Sequence, residues 1–180
     1  VYPATDWLPG EAERTVRVFS NCPEIALYLD DRELGRLTRP VGPAAWGADF
    51  EDLAFEPGAL RAVGYAEGQP VMERQVRTPG DALSLQCVAD VMGVEMQADG
   101  ADAVTVHALV VDALGQRVSS YDGELTFRVR GSGQVVGSHR VRAVEGLASV
   151  TVRSVAVPGA VQVAVDALGL RGGDAVFNAR

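Results

Sequence analysis

Apolar and polar residues alternate with a period of two through most of this 180-residue chain, in short stretches separated by turn residues. This alternation is typical of half-buried β-strands, because successive side chains of a strand point to opposite faces of the sheet. The pattern predicts strands over 16–18, 25–29, 32–36, 60–65, 71–77, 104–111, 124–130, 148–153 and 161–166. Both faces of 104–111 are apolar, which predicts a central strand.

One segment is ambiguous between helix and strand. Residues 81–92 contain neither Gly nor Pro, and Leu85, Val88 and Met92 could share one side of a helix. A strand followed by a connector is the preferred interpretation, because the neighbouring segments are strands. Turns are predicted at Asp30-Asp31, Glu67-Gly68 and the glycine-containing positions 114–116, 131–133, 145–146 and 158–159.

A domain boundary is expected at Arg77-Thr78-Pro79-Gly80, which follows a complete set of predicted strands. Pro-Gly is a strong turn signal. The boundary separates a first domain over 1–80 from a second over 81–180, and each has the size of an immunoglobulin-like sandwich. The predicted fold class is all-β, with two tandem immunoglobulin-like β-sandwiches.

Charge and composition exclude several classes of function. The formal net charge is −8, whereas nucleic acids and anionic membrane surfaces attract clustered positive charge. No apolar run approaches the length of about 18 residues that a membrane-spanning helix needs. All sixteen basic residues are arginine, which excludes a Schiff-base lysine and a P-loop lysine. We therefore expect neither a nucleic acid nor a membrane as partner.

Neither a metal nor a cofactor is expected. A zinc site with nitrogen and sulfur ligands would need nearly all of His107, His139, Cys22 and Cys87. His107 lies in an apolar strand and is interpreted as a buried or boundary histidine with a backbone partner, whereas His139 is expected in solvent. The two cysteines are far apart in the sequence and are interpreted as separate buried thiols.

Paired carboxylates could act as an acid and a base, but no pair is convincing. The candidates are acidic neighbours in predicted turns or polar loops: Glu11 with Glu13, Asp30 with Asp31, and the group Asp49, Glu51 and Asp52. None has an obvious apolar pocket that would raise a pKa. Solvated loop charge is the preferred interpretation, and no catalytic residue is predicted.

Two further motifs are interpreted as turns. Asp99-Gly100-Ala101-Asp102 lacks the ligand spacing of an EF-hand, so a structural turn is preferred to another kind of calcium site. Gly131-Ser132-Gly133 follows a strand, but no helix is predicted after it. A β-turn is therefore preferred to a phosphate cradle or a nucleophile elbow.

Trp7 and Trp46 are the candidate carbohydrate-binding residues, because sugars stack on exposed aromatic rings and these are the two tryptophans of the chain. The alternative for each is that it plugs the end of a sandwich or a domain interface, with its ring buried and its N–H paired.

Five blocks, in order along most of the chain, resemble a known family. The block over 20–35 reads SNCPEIALYLDDRELG, and it is followed by 56–65, 77–80, 98–115 and 127–137. They resemble the immunoglobulin-like domain that follows the catalytic barrel in bacterial family 2 glycoside hydrolases, mostly β-galactosidases, and the C-terminal (invasin-like) sandwich after it. Two departures stand out: Asp30-Asp31 replaces an Asn-Gly turn, and the first segment keeps Pro3 and Trp7 but lacks a histidine and a tryptophan between them.

The resemblance implies a non-catalytic, accessory C-terminal portion of a β-galactosidase-type enzyme that supports the barrel, an oligomer or the substrate cleft. The catalytic glutamates of the family lie on the barrel, so the implied partner is an upstream catalytic barrel of the same polypeptide, with a homo-oligomer and a carbohydrate as further possibilities. A chain that begins Val1-Tyr2-Pro3 is expected to be processed or cut from a longer protein. A periplasmic or secreted bacterial location is favoured over the cytoplasm. A stand-alone carbohydrate-binding or adhesion module is the alternative, and a complete small enzyme is the third.

Overall fold

The computed structural model describes residues 1–5, 7–9, 13–39 and 46–180, with Glu13 described by its backbone alone. This part of the chain contains β-strands and no helix, which confirms the all-β fold class. The strands are β1 (Tyr2–Pro3), β2 (Glu13–Phe19), β3 (Glu24–Leu29), β4 (Arg32–Thr38), β5 (Gly47–Ala54), β6 (Ala59–Ala66), β7 (Gln69–Arg77), β8 (Ser84–Asp90), β9 (Ala103–Val111), β10 (Glu124–Gly131), β11 (Gly133–Val136), β12 (Arg140–Arg142), β13 (Leu147–Ser154), β14 (Gly159–Asp166) and β15 (Gly173–Ala179). The chain divides into two compact units, Val1–Thr78 and Pro79–Arg180.

Unit 1, Val1–Thr78, is built from two antiparallel sheets in its described residues. One has the strand order β1-β2-β5 and the other β4-β3-β6-β7. The predicted alternation on β2 and β3 is confirmed, because Val16, Val18, Ile25, Leu27 and Leu29 are all buried in one core. Both sheets contribute to that core, which is the arrangement of a β-sandwich.

The Asp30-Asp31 turn forms without the glycine that the resembling family has there. Asp30 adopts a φ of 51°, a left-handed conformation that aspartate tolerates better than most residues. Its carboxylate Oδ1 accepts a hydrogen bond of 3.0 Å from the Ala59 N–H, and its own N–H donates to the Ala59 carbonyl at 2.8 Å. The Asp30 side chain therefore anchors the turn to β6.

Unit 2, Pro79–Arg180, is a second sandwich. Its sheets have the strand orders β12-β10-β14-β15 and β11-β13-β9-β8, and all the strand pairings are antiparallel. Phe127 on β10 and Val106 on β9 lie in the core between them, at 1% and 0% exposure. The prediction that 104–111 is a central strand is confirmed, because β9 pairs with both β8 and β13. The segment 81–92 contains β8, so the strand interpretation is also confirmed.

The segment Gly131-Ser132-Gly133 differs from the predicted β-turn. It carries the chain from β10 in one sheet to β11 in the other, and Ser132 is buried at the crossing. Gly131 has a φ of 83°, and a Cβ at this position would collide with the Ala160 carbonyl oxygen on the adjacent strand β14. Glycine is needed here because the backbones of two strands approach closely where the chain changes sheets. The chain does not reverse in a hairpin at this point.

Candidate functional site

The predicted location of the acidic group Asp49, Glu51 and Asp52 was wrong, because all three lie within strand β5 rather than in a loop. Ala48 and Phe50 alternate with the acids and fill the core, which leaves Asp49 and Glu51 on the opposite face of the sheet. The Glu11 candidate and the side chain of Glu13 lie outside the described residues.

Asp49 is paired with arginine, which disfavours an acid role. Arg17 donates to both carboxylate oxygens, with Nε to Oδ1 at 2.7 Å and Nη2 to Oδ2 at 2.6 Å. These bonds stabilise the carboxylate and lower the pKa of Asp49. A glycosidase general acid needs the opposite shift, a pKa raised toward neutrality by an apolar environment. Asp30 is also occupied, as the anchor of its turn.

Trp7 lies inside the core of unit 1 and is fully buried. Its indole Nε1–H donates to the Glu56 carbonyl at 2.9 Å, and its ring centroid lies 5.4 Å from that of Phe55. The Arg14 guanidinium carbon lies 5.4 Å from the Trp7 centroid and 5.3 Å from the Phe55 centroid. The indole is therefore packed and hydrogen-bonded, and no face of its ring is free for a sugar in this structure.

Trp46, the second predicted carbohydrate-binding residue, has 72% of its surface exposed. It immediately precedes β5, and its carbonyl accepts a 2.8 Å hydrogen bond from the Ser20 N–H. The structure does not bring the two tryptophans into one site: one is a core residue and the other is on the surface.

A network on the outer face of the β4-β3-β6-β7 sheet was not foreseen from the sequence. We call it the Tyr–Arg cluster: Tyr28, Glu33, Arg36, Arg61 and Tyr65. The two tyrosine hydroxyls lie 3.1 Å apart, and Tyr28 donates to Glu33 at 2.8 Å. The Arg36 guanidinium lies 4.3 Å from the Tyr65 centroid, and that of Arg61 lies 4.6 Å from the Tyr28 centroid. The sequence feature that could have indicated this network is a tyrosine at a polar position of each of two neighbouring strands.

Hydrogen bonds within the Tyr–Arg cluster shift the pKa values of several of its groups. The hydrogen bond to Tyr65, together with partial burial, raises the pKa of Tyr28 to about 12. The Arg36 guanidinium lowers the pKa of the Glu33 carboxyl, and Glu33 in turn raises the pKa of Arg36. The hydrogen bonds of Tyr65 with Tyr28 and Arg36 lower the pKa of Tyr65. A cluster of mutual hydrogen bonds and cation–ring contacts is suited to holding this surface rigid. The guanidinium groups also cover the two rings, which disfavours sugar stacking there.

The histidines and cysteines are dispersed. His107 Nδ1 lies 2.8 Å from Ser149 Oγ, because His107 and Ser149 are directly opposite each other on β9 and β13. The prediction of a backbone partner was therefore wrong, since the partner of the ring nitrogen is a side-chain hydroxyl. His139 is exposed, as predicted. Cys22 and Cys87 are both free thiols. Cys87 is half-buried rather than buried, and burial raises its pKa to about 11.

The Asp99–Asp102 motif is a turn, as interpreted from the sequence. Asp99 Oδ1 accepts 2.8 Å hydrogen bonds from the N–H groups of Ala101 and Asp102, and these lower the pKa of the Asp99 carboxyl. No group of three or more metal-ligating side chains occurs among the described residues. In that same part of the chain, no helix is long and apolar enough to cross a membrane.

Two antiparallel β-sandwich units, in which Asp30 is committed to a turn and Asp49 to an ion pair, define the class of the protein as all-β. Comparison with protein families gives two matches: a domain of unknown function (DUF4982) over residues 11–72, and glycoside hydrolase family 2 C-terminal domain 5 over residues 85–176. The chain therefore belongs to glycoside hydrolase family 2, as part of its C-terminal region.

Two proteins similar in sequence to this chain are named as glycosidases. The chain is 28% identical over 120 residues to a β-glucuronidase of Formosa agariphila, covering 66% of this chain and 12% of the relative. It is 27% identical over 155 residues to a β-galactosidase of Thermoanaerobacter pseudethanolicus, covering 79% of this chain and 21% of the relative. The chain thus spans about a fifth or less of these proteins.

Solved structures share the fold. A glycosyl hydrolase family 2 member from Bacteroides cellulosilyticus superposes with a TM-score of 0.80 at 22% identity, covering 93% of this chain and 23% of that one. A β-glucuronidase from glycoside hydrolase family 2 superposes with a TM-score of 0.79 at 23% identity, covering 99% of this chain and 20% of that one. Both units therefore have the architecture found in longer family 2 proteins.

Proposed function

We propose that this chain is the non-catalytic C-terminal portion of a β-galactosidase-type family 2 glycoside hydrolase, with the catalytic barrel upstream in the same polypeptide. The match of residues 85–176 to a C-terminal domain of that family carries the proposal. Residues 1–80 are assigned as the immunoglobulin-like domain that follows the barrel, and 81–180 as the C-terminal immunoglobulin-like (invasin-like) sandwich. One named relative is a β-galactosidase and the other a β-glucuronidase, so the substrate is tested with both types of sugar.

The proposed role is mechanical and positional: support of the barrel, of an oligomer or of the border of the substrate cleft. Each unit has its own core and hydrogen-bonded sheets, so it can present a fixed surface. Exposed arginine–carboxylate pairs such as Arg17–Asp49 and Arg32–Glu56 add local order at the surface rather than much stability. Rigid elements of this kind hold a site more accurately than loops do.

The test compares hydrolysis by two proteins. The whole polypeptide, read from the gene upstream of Val1, is assayed on chromogenic β-galactosides and β-glucuronides beside the 180-residue chain. We expect activity from the whole polypeptide on one of the two substrates and none from the chain. Activity that follows the purified 180-residue chain, or a gene with no barrel pattern upstream, would overturn the proposal.

A second candidate function is carbohydrate contact through Trp46, which its 72% exposure favours. Trp7 would contribute to such a site only indirectly, by stabilising the fold of unit 1. The test titrates galactose and lactose to roughly 10 mM, which detects binding stronger than about 3 kcal/mol, and monitors tryptophan fluorescence. A saturable change that Trp46→Ala removes would support the carbohydrate-binding module, and an unchanged signal would exclude it for these sugars.

A further inference from the structure

The outer face of the β11-β13-β9-β8 sheet of unit 2 is poor in charge. Val106 on β9 and Val150 on β13 point into the core, so the residues that alternate with them along each strand point outward. We call this outward surface the neutral face. Its centre consists of two rows of residues paired across the strands, Val88–His107–Ser149 and Gln86–Leu109–Leu147.

The outer face of the second sheet of unit 2, β12-β10-β14-β15, is highly charged by comparison. It carries arginine or aspartate on each strand, including Arg128, Arg130, Arg140, Arg142, Asp166 and Asp174. The strand positions of the neutral face carry only Asp90 and Arg153 as charged residues. Depletion of charge at the centre of a surface is a compositional mark of a protein interface.

The composition of β9 also indicates that the neutral face is covered by another surface. None of the outward residues of β9 is an acid or an arginine, and two of them, Leu109 and Val111, are apolar. An antiparallel strand with one face in water usually alternates apolar and polar residues, whereas strands that are apolar on both faces are typically covered on both. Yet Val88 and Val136, at the two sides of this face, are each 50% exposed.

The polar groups at the centre of the neutral face are already paired with each other. His107 Nδ1 and Ser149 Oγ share a hydrogen bond of 2.8 Å between directly opposite residues of β9 and β13. Burial of a polar group is costly mainly when the group is left without a partner. The centre of this face can therefore lose its water without leaving the ring nitrogen or the hydroxyl unpaired.

The positions of Asp90 and Arg153 identify the occupant as a second copy of the chain. They lie at the same end of the sheet on the two strands that flank β9, where Asp90 is opposite Thr105 and Arg153 is opposite Ala103. Neither forms an ion pair within the described residues.

A two-fold axis parallel to β9 exchanges the two sides of β9 and keeps the ends of the strands in place. It therefore brings Asp90 of one copy toward Arg153 of the other, and it does so twice, as an isologous interface requires. The two residues are offset by two positions along the strand, about 7 Å, which an arginine side chain can span.

The size of the neutral face fits a weak dimer. The nine residues of β9 extend about 30 Å, and the four strands of the sheet span about 19 Å, so the face covers roughly 600 Å². Two copies would bury about 1,200 Å², the lower end of the range for specific interfaces. Face-to-face packing of two sheets with nearly aligned strands is a common arrangement.

We propose that the neutral face is a two-fold interface between copies of this chain, in which β9 packs over β9 and Asp90 of each copy pairs with Arg153 of the other. The strands of the neutral face contain no phenylalanine, tyrosine or tryptophan, so a sugar would have no ring to stack on. The inference is argued from unit 2 alone. A gene without an upstream barrel would overturn the proposed function and leave this inference standing.

The experiment is sedimentation equilibrium of the 180-residue chain from about 5 μM to about 500 μM, the range in which an interface of this size should dissociate. We expect monomers at the low end and a closed monomer–dimer equilibrium as the concentration rises. A chain that stays monomeric throughout would overturn the inference, because the face would then belong to a different partner. Species that grow beyond the dimer without limit would overturn the two-fold arrangement.

A matched pair of variants locates the interface. Val88 on β8 is 50% exposed and Val176 on β15 is 61% exposed, and each lies on an edge strand of unit 2. Val88→Arg and Val176→Arg add the same charge and should leave the melting temperature of the chain unchanged. Val88→Arg alone should weaken the dimer at least tenfold, because it places an unpaired charge in the interface. Equal dissociation constants for the two variants would show that the dimer uses another surface.

Charge reversal tests the two-fold pairing itself. Asp90→Arg and Arg153→Asp should each weaken the dimer about fivefold, since each places like charges together at two symmetric contacts. The double variant restores opposite charges and has the net charge of the wild type, so its dissociation constant should return to within about twofold of the wild-type value. A double variant as weak as the single variants would refute the pairing of Asp90 with Arg153.

Discussion

The two tryptophans form a natural matched pair for a stability experiment. Trp7 is fully buried and Trp46 is 72% exposed, and both belong to unit 1. We expect Trp7→Ala to lower the free energy of unfolding of unit 1 by about 3–5 kcal/mol. The same substitution at Trp46 should change it by less than about 0.5 kcal/mol, as is usual for exposed positions without special contacts.

The magnitude follows from the surroundings of Trp7. Burial of about 200 Å² of mainly apolar side chain at about 25 cal/mol per Å² contributes about 5 kcal/mol. The Nε1–H bond to the Glu56 carbonyl, at 2.9 Å, adds about 1 kcal/mol, and its loss leaves a carbonyl without that donor. A compact denatured state and the retained Cβ reduce the total. The φ of 44° at Trp7 is unfavourable for alanine as well, so the substitution recovers no backbone energy.

The assay must resolve the two units, because a chain with two separate cores need not unfold in one transition. Urea unfolding followed by hydrogen exchange and mass spectrometry reports on Val1–Thr78 and Pro79–Arg180 separately. Trp7→Ala should shift the transition of unit 1 to lower urea and leave unit 2 unchanged. Equal shifts for Trp7→Ala and Trp46→Ala would refute the placement of Trp7 in the core.

Three further predictions concern glycine, pH and thiol reactivity. Gly64→Ala should destabilise unit 1 by about 1–3 kcal/mol in urea unfolding, because the new Cβ would lie 2.5 Å from Cys22 Sγ and 2.6 Å from Val1 Cγ2; wild-type stability would contradict this contact. Since the pKa of Asp99 is lowered on folding, its stabilising contribution is present above the unfolded pKa of about 4 and is lost as the pH falls below it; Asp99→Asn should weaken the acid dependence of unit 2 melting, and an unchanged profile would contradict it. With a pKa raised to about 11, Cys87 should alkylate at pH 8 about a hundredfold more slowly than in urea; equal rates by site-resolved mass spectrometry would contradict it.

The strands found from the sequence are those whose apolar residues dominate one face. On β3, β9, β13 and β14 the buried positions are valine, leucine, isoleucine and alanine, apart from Ser154 at the end of β13, so period two is visible directly. β5 was missed because the acids Asp49, Glu51 and Asp52 interrupt its apolar pattern, and only Ala48 and Phe50 are buried on it. A strand with acids on its solvent face resembles a loop in composition, and only the pairing with β2 distinguishes the two.

Strands β1, β11, β12 and β15 were missed for a different reason. β1, β11 and β12 have two, four and three residues, too few for a period to be detected. β15 is an edge strand on which Val176 is exposed, while Phe177 packs against the core and Ala179 is buried in it. Such strands form because a neighbouring strand offers unpaired backbone groups, which is tertiary rather than local information.

Aromatic residues at outward positions behave differently on the two sheets of unit 1, and strand register explains why. Ala26 and Val63 are opposite each other on the outer face of β3 and β6, yet they are almost completely buried. Tyr28 and Tyr65 lie on either side of that row, and their hydroxyls nonetheless approach to 3.1 Å. The two tyrosine rings must therefore lean over Ala26 and Val63 and cover them from solvent.

Among the described residues, no equivalent cover lies over the outer face of the β1-β2-β5 sheet. The position opposite Phe19 on β5 is Gly47, which has no side chain to lean over the ring. The ion pair of Arg17 and Asp49 is satisfied within itself and is not among the guanidinium–ring contacts of the described residues. Within the described part of the chain, the residue types that cover one outer face therefore leave the other exposed. Period two predicts which side chains point outward, but whether an outward ring is covered depends on its neighbours on adjacent strands, and at Phe19 the described residues provide no covering ring or guanidinium group.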